Sequence, residues 1–152
     1  MDLVQKIKDE VYGDSSGSWN VGWAEHRQLY WVADEALSMS CRKDRITLMK
    51  CLQGIGSYNN FEPNVVCDIL SRYFYGEAVL ARVGSVCLFL IGKEKDISNI
   101  AEILRDKGMA DEVDDASRGE GLKHPDFDFQ GALAPFFDFE NPTEVLLRVW
   151  WD

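Results

Sequence analysis

Ala78-Val79-Leu80-Ala81-Arg82-Val83, then Gly84-Ser85, then Val86-Cys87-Leu88-Phe89-Leu90-Ile91 is the stretch that decides the fold. Two apolar runs of strand length meet across a Gly-Ser pair, and glycine supplies the positive φ of a tight hairpin turn. The reading is an antiparallel pair. After a polar turn at Lys93–Asp96, Ile97, Ile100, Ala101 and Leu104 recur at helical spacing, with Asp96 placed to cap the helix and Gly108 to close it. Val145, Leu147 and Val149 alternate ahead of Trp150-Trp151, so a further strand is expected to complete a small sheet.

Upstream of the hairpin the period is helical. Leu3, Val4, Ile7 and Val11 mark a first helix that Gly13-Asp14-Ser15-Ser16-Gly17 ends. Trp19, Val21 and Trp23 alternate, as in a short strand or an extended arm. Leu29, Val32, Ala33, Ala36 and Leu37 predict a helix within Glu25–Met39. A third helix is expected over Lys43–Leu52, stopped by Gly54 and Gly56. A fourth starts at Pro63, whose missing N–H has no partner in a first helical turn, and carries Val66, Ile69, Leu70 and Tyr73. Helices first and strands later, without βαβ alternation, predict an α+β fold: a helical N-terminal half followed by a small antiparallel sheet with one packed helix. The length suits a single domain over residues 1–152, with a helical part over roughly 1–75 and a sheet-containing acidic part over roughly 76–152.

Charge is distributed unevenly. Residues 94–152 hold fifteen Asp and Glu against six Lys and Arg, whereas residues 1–93 are nearly balanced, so the net charge of −10 splits as −9 and −1. Nucleic acid would be repelled by such a surface; a cationic protein partner would be attracted. Four cysteines, Cys41, Cys51, Cys67 and Cys87, lack the close pairing of a zinc or thiol-exchange motif and read as free thiols in a reducing cytoplasm. Met1–Glu10 mixes charges with apolar residues, unlike a secretory signal, and no apolar run is long enough for a bilayer. The chain is therefore expected to be soluble and cytoplasmic, with no cofactor and no membrane partner.

Asp111, Glu112, Asp114 and Asp115 stand four in five positions ahead of Ser117-Arg118-Gly119-Glu120-Gly121, which reads as a mobile acidic loop reaching Leu122. Beyond it, His124-Pro125-Asp126-Phe127-Asp128-Phe129 alternates. In an extended segment His124, Asp126 and Asp128 share one face and offer an imidazole and two carboxylates to a divalent cation or to acid–base chemistry. The continuation to Glu140 mixes five phenylalanines with carboxylates, which suits either core packing or an aromatic interface steered by charge.

Arg42, Lys43, Arg45 and Lys50 are too few to make a nucleic-acid surface at a sequence pI of about 4.6. Gly54-Ile55-Gly56-Ser57 follows a helix where a dinucleotide loop follows a strand. The function expected is that of an acidic interaction protein binding a basic protein surface as an inhibitor, immunity-type factor or charge mimic. Asp111, Glu112, Asp114, Asp115, Asp126, Phe127, Asp128 and Phe129 are its partner-binding candidates. The alternative is a small divalent-metal-dependent hydrolase or nucleotide-handling enzyme using His124, Asp126 and Asp128. A third reading is a subunit or homo-oligomer with Trp19, Trp23, Trp150 and Trp151 at its interface.

Overall fold

A computed structural model describes residues 29–31, 42–83, 85–123 and 128–152. The elements in chain order are β1 (Leu29–Trp31), α1 (Arg42–Ile55), α2 (Pro63–Tyr73), β2 (Glu77–Val83), β3 (Ser85–Gly92), α3 (Glu94–Asp106), β4 (Glu112–Asp115), α4 (Phe129–Leu133) and β5 (Val145–Trp150). The expected first helix and the Trp19–Trp23 segment lie outside the described residues. The fold class is α+β, built on an antiparallel sheet of order β1-β2-β3-β5-β4.

The hairpin read from the sequence forms its centre. β2 and β3 pair from Glu77↔Ile91 to Val83↔Ser85, and β5 joins the far side of β3 from Gly92↔Val145 to Cys87↔Trp150. Every residue of β3 is buried. Side chains alternate across a strand, so its two sets serve two cores. Val86, Leu88 and Leu90 face the helices, joining Leu48 and Leu52 of α1, Val66 and Leu70 of α2, and Ile97, Ile100 and Leu104 of α3. Cys87, Phe89 and Ile91 face the opposite way, toward Ala116, Leu122, Phe129, Leu133 and Phe137. A sheet covered on both sides explains why the hairpin strands read as nearly continuous apolar runs.

As expected, one helix packs on the sheet: α3 lies against β3, β4 and β5, while α2 packs on α3 and α1 on α2, so that both extend the first core. In α1 the buried stripe is Leu48, Leu52 and Ile55, one turn longer than expected, since the helix runs through Gly54 and stops at Gly56, where φ is +83°. Pro63 does open α2, and Val66, Ile69 and Leu70 are buried, while Tyr73 remains exposed. In α3, Lys93 rather than Asp96 holds the N-cap position. Glu94 and Asp96 instead lie in the first turn, where their charge complements the helix dipole.

Two other expectations are corrected. Leu29–Trp31, placed within a helix by periodicity, pairs antiparallel with β2 at the sheet edge; its Tyr and Trp suit a strand, and pairing outweighs a short-range period signal. Residues 112–115, read as part of a mobile loop, form edge strand β4 against β5. The following turn is anchored as well: Ala116 N–H donates to the Leu146 carbonyl, Leu146 N–H donates to Ser117 Oγ, and Ala116 and Leu122 are buried.

The end of β5 is fastened by a side chain from the opposite half of the chain. Trp151 N–H donates to the Val86 carbonyl at 3.1 Å. The reciprocal rung is bridged by Tyr58: Val86 N–H donates to its hydroxyl at 3.0 Å, and that hydroxyl donates to the Trp151 carbonyl at 2.8 Å. Ser85 Oγ donates to the same carbonyl, and Trp151 Nε1 donates to the Gly108 carbonyl. Trp151, a candidate for a subunit interface, is thus fully buried, with its ring edge-on to Phe61.

Candidate functional site

The acidic third of the chain resolves into two neighbourhoods. The first is the edge strand. Glu112 and Asp114 alternate with Val113, so both project to the face opposite the helices, where Arg148 on β5 stands in register with Asp114. Its guanidinium donates to Glu112 at 2.8 Å and Asp114 at 3.3 Å and lies over the Trp150 ring. The Arg148 side chain is 11% exposed, against 47% and 53% for the two carboxylates. Burial opposes its charge, yet the net effect of Cys87, Glu112 and Asp114 holds its pKa above the ordinary arginine value. Asp115 Oδ1 accepts from Ser117 N–H, and Asp111 Oδ2 accepts from Asp152 N–H. Asp111 and the three acids of the strand are all exposed, and each has a partner within the fold.

The second neighbourhood is a cleft of ≈ 710 Å³ formed within residues 128–140. Three exposed carboxylates, Asp128, Asp138 and Glu140, share its lining with Pro135 and the rings of Phe136, Phe137 and Phe139. Phe137 is buried and meets Phe139 edge-on at 5.0 Å, while Phe136 and Phe139 are half-buried. Two carboxylates are fixed by backbone amides. Asp128 caps α4, its Oδ1 accepting from Gly131 N–H at 2.9 Å. Asp138 Oδ1 accepts from Glu140 N–H and Asn141 N–H at 3.0 and 3.1 Å.

Of the remaining candidates, His124, Asp126 and Phe127 lie outside the described residues. Asp128 does not continue an extended alternation; it turns the chain into a short helix. Phe129 is 3% exposed and packs against Phe89, so it belongs to the core and is not a surface anchor. Among the described residues no group of three or more His, Cys, Asp or Glu is arranged to hold a metal ion. Burial pushes the Cys67 thiol up to about 11 and the Cys87 thiol to about 12, so both remain protonated and unsuited to nucleophilic attack at neutral pH. No helix among the described residues is long and apolar enough to cross a membrane.

Arg148 is the site residue that the sequence did not mark. Its place in an alternating strand was visible, but its two carboxylate partners depend on the pairing of β4 with β5. For the cleft a local signal existed: Asp128 three residues before Gly131 has the spacing of a helix cap. Compared with family models, curated proteins and solved structures, the chain has no match in any of the three.

Proposed function

We propose that this chain is an acidic interaction protein of the reducing cytoplasm that binds a basic protein surface, acting as an inhibitor, an immunity-type factor or a mimic of nucleic-acid charge. The observation that carries this reading is the surface charge of the described part of residues 111–140. Eight exposed acids, Asp111, Glu112, Asp114, Asp115, Glu120, Asp128, Asp138 and Glu140, accompany two exposed bases, Arg118 and Lys123. Fixed charge of one sign beside half-buried aromatic rings suits a partner of opposite sign: charge raises the encounter rate and rings supply contact area. Direct binding to nucleic acid is disfavoured by the same field.

The test is capture of partners from host lysate at low and moderate salt, followed by stopped-flow association of the purified partner over a range of ionic strength. A basic partner whose association slows steeply as salt rises is the expected result. Association that ignores salt, or binding confined to acidic and neutral proteins, would count against the proposal.

A further inference from the structure

The acids of the two neighbourhoods differ in one respect. At the sheet edge, Glu112 and Asp114 share the Arg148 guanidinium. Among the described residues none that lines the cleft is basic, and Asp128, Asp138 and Glu140 enter no ion pair. The cleft therefore joins three carboxylates, unpaired with any cation among the described residues, to the half-buried Phe136 and Phe139, in a volume of ≈ 710 Å³.

We infer that this cleft receives an arginine side chain of a basic partner protein, its guanidinium stacked on the Phe136 or Phe139 ring and bonded to Asp138 and Glu140. The inference rests on the basic-partner reading and narrows it to one site and one residue type. Guanidinium is planar, so it stacks on a ring while its edge donates two parallel bonds to carboxylate; the compact, strongly hydrated ammonium of lysine does neither as well. Asp138 is prepared for this role. Its Oδ1 is held by two backbone amides, and among the described residues Oδ2 makes no hydrogen bond, so little side-chain freedom is lost on binding.

Fluorescence anisotropy with labelled oligo-arginine and oligo-lysine peptides of equal length, at moderate salt, tests the inference. The wild-type chain is expected to prefer oligo-arginine. Asp138→Asn with Glu140→Gln, which keeps the turn-forming Oδ1, is expected to weaken oligo-arginine binding about tenfold, as fits loss of charge-assisted bonds. Phe139→Leu is expected to remove the preference over oligo-lysine. Glu112→Gln with Asp115→Asn, at the edge strand, is expected to weaken binding less than the cleft variant does and to leave the preference for oligo-arginine over oligo-lysine in place.

Equal weakening by the edge and cleft variants, or no arginine preference in the wild type, would overturn the inference. Amide chemical-shift mapping on the wild type gives the same decision without substitutions: shifts within 128–140 support it and shifts confined to 111–115 overturn it. The two readings fail separately. A captured basic partner that binds cleft variants unchanged removes the arginine site and leaves the partner reading standing. A chain that captures no basic partner while retaining cleft-dependent arginine preference does the reverse.

Discussion

Replacing Tyr58 by Phe isolates one oxygen that holds the two halves of the chain together. That oxygen accepts from Val86 N–H at 3.0 Å and donates to the Trp151 carbonyl at 2.8 Å, bridging the last rung of the β3–β5 ladder. Phe keeps the ring against Phe61, 5.2 Å between centroids, so packing is conserved and only the hydroxyl is lost. Val86 is fully buried. Its N–H is then left without an acceptor, which costs about 1–3 kcal/mol. The Trp151 carbonyl is less affected, because Ser85 Oγ still donates to it. Ser85→Ala is the matched control: it removes one donor from an acceptor that keeps Tyr58, and should cost about 0.5–1.5 kcal/mol.

With both changes the carbonyl loses both hydroxyl donors, so the double variant should be less stable than the sum of the singles by about 0.5–1.5 kcal/mol, within the usual range for shared partners. Equilibrium unfolding in urea, followed by far-ultraviolet circular dichroism and tryptophan fluorescence, gives all three values. Tyr58→Phe no more costly than Ser85→Ala, or strict additivity, would refute the bridge. Alkaline pH supplies an independent reading. Burial raises the Tyr58 phenol well above its ordinary value, so the unfolded chain deprotonates first and the contribution of Tyr58 is complete below about pH 10, then lost as pH rises further. The stability gap between wild type and Tyr58→Phe should narrow over that range.

Three further outcomes are expected. Gly76 joins α2 to β2 at φ +150°, and a Cβ there would collide with the Ile91 carbonyl oxygen, so Gly76→Ala should lower stability by about 3 kcal/mol or more; a thermal melt within a few degrees of wild type would refute the tight bend. Arg148→Met should cost about 1–3 kcal/mol, because Glu112 and Asp114 lose their shared cation; high salt, which screens their repulsion, should restore part of it, and urea titrations with and without salt would detect this. Cys67 and Cys87 peptides should escape iodoacetamide at pH 8 until denaturant is added, and labelling of either in the native protein would contradict their burial.

The hairpin was legible in the sequence because both its faces are buried, so its residues had to be apolar whatever packed on them. The start of α2 was legible because Pro63 has a local preference that packing does not override. β4 was not. Acids are poor strand formers, and Glu112–Asp115 becomes a strand through Arg148 and the backbone of β5, more than thirty residues away, which local pattern cannot reveal. β1 failed for a related reason: Leu29–Trp31 sits inside a helical period, and only pairing with Ala81, Leu80 and Val79 decides its form. In the phenylalanine-rich segment, alternation suggested a strand for residues that include Phe129, whereas the Asp128 cap and the Phe89 contact make it the buried start of a helix.

These differences change what the charge asymmetry explains. An edge strand exposes unpaired backbone that invites another strand, and charged side chains along it are a common means of preventing that pairing. Glu112, Asp114 and Asp115 fit this role at the end of the sheet, with Arg148 offsetting part of their repulsion, so their presence requires no partner. Among the described residues Asp138 and Glu140 lie outside the strands and enter no ion pair, and they line the cleft beside the half-buried Phe136 and Phe139. The charge that calls for a functional explanation is therefore the smaller group in the cleft. A partner interface centred there would use the edge acids for approach and the cleft for grip, which separates association rate from dissociation rate: edge substitutions should act on the first and cleft substitutions on the second.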